Sequence, residues 1–422
     1  MKKLKDIFGG DTRQFGMIFA LGALIILFQF LTSGLLLKPE NVINIFQGNS
    51  YILVMAIGMV LVIIAGHIDL SVGSIAAAVS IIVALLMRDA NIPWPLAIVV
   101  GLAVGAIAGA WQGFWVAYVG IPAFIVTLSG MMFFRGVNQY IGKSNTVPVP
   151  AEFQVIGAGY LPEWGPDTGY NNLTVLLGLI LVAAVLLGAI RNRRNQVKIG
   201  AATGSAVTMW VRAGLISVAI LAVALLMASG RRGTSFPVSG LILGVLVLIY
   251  GFIANRTIIG RHVYAVGGNR HAAELSGVRS KRVNFLVMMN MSILAALAGM
   301  MFAARSTSSG PFDGVGWELD AIAAVFIGGA AVTGGVGTVI GSIVGGLVMA
   351  VLNNGLQLLG VGADLTQMIK GLVLLAAVAF DVYNKMQGKP SLIGLLTRGA
   401  GGRKGAPADA APPATPSDAA SH

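Results

Sequence analysis

Apolar runs separated by short polar connections fill the chain from residue 16 to residue 385. They cover 16–37, 49–65, 75–87, 95–118, a stretch opening at Gly120, 173–190, 208–228, 237–254, 284–303 and 365–384. Many reach the roughly 20 residues that an α-helix needs to cross a bilayer. They are continuous rather than alternating, so a membrane β-barrel is excluded. The pattern predicts an all-α polytopic membrane protein with about 10–12 transmembrane helices, broken or re-entrant elements included. The membrane domain spans 16–385, between a short basic tail at 1–15 and a segment at 386–422 whose Pro, Ala and Gly content reads as disorder.

Two places break the pattern. The runs at 49–65 and 75–87 are joined by Ala65-Gly-His-Ile-Asp-Leu-Ser-Val-Gly-Ser74 with no real loop. His67, Asp69, Ser71 and Ser74 therefore sit together at a joint near membrane depth. A carboxylate there is costly unless it faces protein, water or a helix N-terminus. Two compatible readings follow: Asp69 caps the next helix and sets a tight turn, or a discontinuous helix lines a solute pathway. The second break is Gly328-Gly-Ala-Ala-Val-Thr-Gly-Gly-Val-Gly337, after an apolar piece at 321–331 that is too short to cross. It reads as a half-helix, a break opened by Gly328 and Gly329, and a helix to about 359. Both breaks share an apolar, then Gly-Ser pattern, one in each half of the chain.

Other punctuation is local. Lys38-Pro-Glu-Asn41 reads as a stop to the first run. Gly101, Gly105 and Gly109 lie on one helix face and favour close helix packing. Pro122 fits the first turn of the fifth span. Phe124, Thr127 and Asn138 on that span could line a passage for a polar solute, or Phe124 is core and Thr127 satisfies its own helix carbonyls. Arg135 and Lys370 each need a partner or a route to the interface, and Asp364 is placed to cap the last span.

The longest basic interruption runs from Asn255 to Val283 and holds six Lys or Arg, two His and one Glu. Within it, His271-Ala-Ala-Glu-Leu-Ser276 reads as a short helix between a Gly267-Gly268 turn and Gly277. Lys and Arg gather in alternate connections, at 1–15, 191–212, 255–283 and 382–422. The connections at 142–172 and 304–320 are acidic instead, the latter with Asp313, Glu318 and Asp320. By the positive-inside rule the basic segments and both termini face the cytoplasm. Only 10% of residues are charged, and the net charge of +12 sits beside apolar spans. That distribution is topological and leaves no accessible basic domain for nucleic acid.

The absence of cysteine excludes disulfides and thiolate sites. The N-terminal apolar run lacks a prompt Ala-x-Ala pattern and reads as an uncleaved span. Gly142-Lys-Ser144 imitates part of a phosphate loop, but Val137 stands where glycine is required. No nucleophile–base pair or metal-ligand pattern appears, so no catalytic and no metal residue is expected. A secondary transporter usually needs ionisable groups within its spans, and here they are nearly absent. A permease driven by a separate ATPase fits better, with the basic loop receiving the work.

Three blocks then carry a resemblance. They are Ala56 through Ser74, Gly260-Arg-His-Val-Tyr-Ala-Val-Gly-Gly-Asn269 through Val278, and Leu319-Asp-Ala-Ile-Ala-Ala-Val-Phe-Ile-Gly-Gly329 through Thr338. With Pro122 through Gly130, they resemble the inner-membrane permeases of bacterial monosaccharide ABC importers over roughly residues 15–385. The long connection at 142–172 and the apolar material near 200–230 resemble the xylose-type and multiple-monosaccharide permeases, and branched-chain amino-acid permeases are more distant relatives. The resemblance implies a permease homodimer in the bacterial inner membrane, a cytoplasmic duplicated ABC ATPase that binds ATP and Mg, and a periplasmic sugar-binding protein. No cofactor is implied in this chain. Residues 255–283 would be the coupling loop, touching the ATPase through Gly268, Asn269, His271, Ala272, Glu274, Leu275, Ser276 and Gly277. The pathway for a xylose-, glucose-, galactose- or arabinose-type sugar would use His67, Asp69, Ser71, Ser74, Phe124, Thr127, Asn138, Gly328 and Gly329.

Overall fold

Pro39 opens a helix rather than ending one. The computed structural model describes residues 12–200, 205–230 and 233–386. Its first helix, α1, is Thr12–Leu31, and α2 is Pro39–Ile64. Pro39 occupies the first turn of α2, where a missing N–H goes unfelt, and Glu40 suits the positive end of the helix dipole. The second span therefore begins well before residue 49, and the expected stop after the first run is a helix start.

The remaining helices follow in order: α3 Val72–Arg88, α4 Trp94–Phe114 with a π-helical extension Trp115–Val119, α5 Ala123–Ile141, and a single turn, α6, at Val155–Ala158. Next come α7 Asn172–Lys198, α8 Ala206–Ala228, α9 Val238–Arg256, α10 Ile258–Gly268, α11 Arg270–Leu275 and α12 Ser280–Ser306. The series ends with α13 Trp317–Ile327, α14 Val339–Leu358 and α15 Ala363–Met386. Two-residue strands β1 (Val147–Pro148) and β2 (Ser308–Ser309) pair antiparallel. Among the described residues, seven helices are long and apolar enough to cross a membrane, and Gly16–Leu31 and Val72–Arg88 are shorter apolar helices. The chain is an all-α polytopic membrane protein.

Contacts divide the chain into a unit ending at Val378 and a second, Ala379–His422. In the second, the described residues 379–386 continue α15. Residues 1–11 and 387–422 lie outside the described residues, so the expected tails are not described beyond their inner ends.

Burial sorts the helices of the first unit. In α2, 83% of the most apolar stretch is buried, against 67% in α14 and 11% in α7. A helix that is apolar all round belongs at a centre, and α2 is one. It packs on α12, α14, α13 and α9, whereas α7 packs chiefly on α8. The glycine face of α4 meets α12 at backbone distance. Gly101 faces Met300, Gly105 faces Ala296 and Ser292, and Gly109 faces the Cα of Met289. Such faces bring helices close in lipid, where hydrophobic driving force is absent. Gly109→Leu is expected to cost about 1–3 kcal/mol by overpacking. Gly136→Ala, which enters open space on α5, is the control. Thermal melting of the purified protein should show a lower midpoint for the first variant alone, and equal midpoints would refute the packing account.

At the end of the bundle away from α11, β1 and β2 join the connection after α5 to the connection after α12. Val147 pairs with Ser309, and Val149 N–H donates to Thr307 O at 3.0 Å. The hydroxyls of Ser80 and Ser309 lie 2.7 Å apart beneath this clasp. Two lone charges also find neighbours. Lys370 Nζ lies 2.5 Å from Asp320 Oδ1. Arg135 on α5 lies within electrostatic range of the buried Glu318. Both acids belong to the first turn of α13, not to the preceding connection as the charge pattern suggested. Arg191 through Arg194 likewise continue α7 rather than form a loop.

Candidate functional site

The basic interruption is more helical than its sequence reading. Thr257 caps α10, its hydroxyl accepting from Gly260 N–H at 3.3 Å. Gly267 and Gly268 are the last residues of α10, so the expected glycine turn is a helix end. Asn269 then caps α11, its side-chain oxygen accepting from Ala272 N–H at 3.0 Å. Serine-like capping chemistry thus starts a second helix directly after the first.

The end of α11 is set by Gly277. Its φ of +85° is left-handed, which glycine adopts without strain. Val278 N–H donates back to Ala273 O at 3.0 Å and Gly277 N–H to Glu274 O at 2.9 Å, closing the helix. Only Ala273 in α11 is buried. His271, Ala272, Glu274, Leu275 and Ser276 are all exposed, and Leu275 shows 78% of its surface. The Ser280 hydroxyl donates to Glu274 Oε1. Arg270 Nε donates to the same oxygen at 2.9 Å. These two donors hold the Glu274 carboxyl below its ordinary pKa. The carboxylate is thus charged, oriented and tied to the first residue of α12.

The two predicted breaks exist, and the end of α10 lies between them. Residues 65–71 separate α2 from α3, and 328–338 separate α13 from α14. Gly335 N–H donates to Ile64 O at 2.8 Å, joining one break to the other. A Cβ on Gly267 would collide with Ile64 O and lie 2.9 Å from Gly335 N. A Cβ on Gly334 would lie 2.9 Å from Gly267 O and 3.1 Å from Gly66 Cα. Tyr264 Oη donates to Gly337 O at 2.7 Å. Three backbones therefore touch without intervening side chains, which explains Gly267 and Gly334, while Gly66 serves the left-handed turn with φ +84°.

The pathway candidates do not form one group. Asp69 and Ser71 are fully buried; Asp69 Oδ1 accepts from Ser71 N–H at 2.8 Å and from Ser71 Oγ at 2.6 Å. This is an Asx turn ahead of α3, whose N-cap is Ser71, so Asp69 sets the turn without being the cap. Gln112 Nε2 on α4 donates to Ser71 Oγ at 2.8 Å. Asp69 Oδ2 and Ser74 Oγ are buried without a hydrogen-bond partner. Thr127 Oγ1 reaches Ile68 O at 3.4 Å, so α5 covers the same joint. His67 is half-buried on the side facing Asn284, and its Nε2 makes no hydrogen bond. Phe124, in contrast, is 56% exposed on the outer face of α5. Asn138 is buried at the far end of α5, donating to Gly310 O at 3.2 Å and Pro311 O at 3.1 Å. Gly328 is buried against Gly341 of α14, and Gly329 turns the chain with φ +82°.

Sequence reading missed Gln112, Tyr264 and the whole of α10. Gln112 was visible as a lone amide in an apolar helix. Helix α10 was visible as Ile259, Val263 and Val266 at helical spacing.

The chain matches the family described as branched-chain amino acid transport system / permease component over residues 41–378. It is 36% identical over 386 residues to the xylose transport system permease protein XylH of Haemophilus influenzae, covering 91% of this chain and 99% of that one. Against XylH of Escherichia coli the identity is 37% over 376 residues, covering 89% and 93%. Against the ribose import permease protein RbsC of Escherichia coli it is 32% over 348 residues, covering 82% and 87%. No solved structure gives a significant match.

Proposed function

Because the chain belongs to the family of branched-chain amino acid transport system permease components, we propose that it is the transmembrane permease subunit of an ATP-driven ABC importer for monosaccharides. The observation that carries this reading is the near full-length similarity to two xylose permeases, with a ribose permease behind them. The substrate is a pentose or hexose of the xylose, glucose, galactose or arabinose type. The chain is a transport subunit and not an enzyme. ATP and Mg are bound by a partner ATPase, and no cofactor is assigned to this chain.

The permease works as a homodimer in the bacterial inner membrane, with both termini in the cytoplasm. Helix α11 seats in a groove of a duplicated cytoplasmic ATPase. The exposed Leu275, the oriented Glu274 and the short capped helix support this placement. Closure of the ATPases displaces α11 and the adjoining end of α10. Gly267 lies against Ile64 and Gly335, so that displacement bears on both helix breaks at once. The breaks then admit sugar released by a periplasmic binding protein docked on the opposite connections, within 142–171 and 307–316. Neutral hydroxyl and amide groups at Ser71, Ser74, Gln112 and Thr127 suit sugar hydroxyls.

The test is uptake by the full complex in proteoliposomes, against a panel of pentoses and hexoses with leucine included. ATP-dependent, binding-protein-dependent sugar uptake is the expected result. Leucine as the transported solute would support the branched-chain alternative instead. Uptake driven by an ion gradient without ATP would refute both.

A further inference from the structure

Helices α9 and α12 each lean on α2 but make no substantial contact with each other. The space between them is a cavity of ≈ 540 Å³ with Leu61 of α2 in its lining. Ile253 of α9 and Leu286 and Ile293 of α12 make its sides apolar. Helix α10 closes the end nearest α11, and its exposed Ile258 and Ile259 lie beside that end. Arg279 and Arg282 also line the cavity there, at the start of α12. Both are exposed, and neither makes an ion pair or side-chain hydrogen bond among the described residues.

One polar feature lies inside. Tyr250 Oη donates to Asn290 Oδ1 at 2.5 Å, and both residues line the cavity. That bond leaves Asn290 Nδ2 buried with no acceptor. A buried amide donor lacking a partner is costly.

We propose that this cleft binds an anionic phospholipid, one acyl chain between α9 and α12 and the phosphate on Arg279 and Arg282. The occupant follows from location and charge. Both walls are helices of membrane-crossing length and hydropathy, so the cleft lies at bilayer depth, where lipid is the available apolar molecule. Its rim is cationic, and basic pockets between transmembrane helices recognise anionic headgroups. The lipid would brace the start of α12, which also carries Ser280, the partner of Glu274.

The experiment is native mass spectrometry of the delipidated full-length permease, titrated with dioleoylphosphatidylglycerol and, separately, dioleoylphosphatidylcholine. The anionic lipid should bind more tightly, by about fivefold for each arginine engaged. Arg279→Ala with Arg282→Ala should remove that preference and leave phosphatidylcholine binding unchanged. Leu286→Trp, which fills the cleft, should weaken both lipids. Equal affinity for the two lipids would overturn the proposal, as would an anionic preference that survives the double substitution. So would displacement of the lipid by inorganic phosphate at matched ionic strength, which would mark a free-anion site. Loss of ATPase stimulation with lipid affinity intact would assign the arginines to a protein partner and equally overturn it. None of these readings needs sugar uptake, so failure here is separable from failure of the transport assignment.

Discussion

Gly267→Val is expected to abolish sugar uptake and to lower the thermal midpoint of the permease. The Cβ alone would meet the Ile64 carbonyl oxygen and the Gly335 amide, and both are backbone atoms that cannot rotate aside. Relief requires α10 to separate from the two helix breaks, at a cost on the order of 3 kcal/mol by overpacking. Separation also removes the contact by which α11 would act on the breaks. Gly268 sharpens the test, since a Cβ there meets nothing within 4 Å. Gly268→Ala should leave the midpoint unchanged within about 0.5 kcal/mol. Melting of both variants, followed by uptake in proteoliposomes, checks the prediction. Indistinguishable midpoints would mean that the junction does not carry the load described.

Glu274→Ala is expected to impair transport while largely sparing stability. Glu274 is exposed, so its removal leaves no cavity, and its one buried consequence is that the Ser280 hydroxyl loses its acceptor. Yield should stay near wild type and the melting midpoint should fall only modestly, since one unsatisfied hydroxyl costs about 1 kcal/mol of stability. The carboxylate nevertheless fixes α11 to Ser280 of α12 and aligns Arg270 beside it. Under the proposed coupling role, its loss would remove an anchoring group at the ATPase and the tie between α11 and α12. Sugar-stimulated ATP hydrolysis by the assembled importer should fall by about tenfold, the scale on which truncating an interface anchor acts. Glu274→Gln keeps the shape and an acceptor oxygen but loses the charge, so it should be intermediate. Normal stimulated hydrolysis in the alanine variant would remove α11 from the coupling path.

Much of this was legible in one dimension, for a physical reason. Hydrocarbon forces continuous apolar helices, so span positions appear as composition alone. The breaks at Asp69 and Gly328 were legible because a carboxylate and a glycine cluster contradict their surroundings. What composition could not supply was partnership. Lys370 and Arg135 were conspicuous as isolated charges, yet Asp320 and Glu318 were read as loop acids, and nothing local links them. Pro39 misled because proline both ends helices and begins them, and the choice depends on which neighbour packs. Asn138 was read as a candidate for the solute passage, whereas its amide donates to the Gly310 and Pro311 carbonyls of a distant connection. The meeting of Gly267 with Ile64 and Gly335 is likewise a property of three segments, none of which shows its neighbours in sequence.

Helix α12 runs unbroken for 27 residues, which at 1.5 Å per residue is about 40 Å. One end, Ser280, is fastened to Glu274. Just past the other, Thr307 accepts from Val149 in the clasp that β1 and β2 form. Along its length it is keyed into the glycine notches of α4 and lies against the central α2. Helix α12 is therefore one continuous rod from α11 to the β1–β2 clasp, and a load applied at either end would reach the other without passing through a loop.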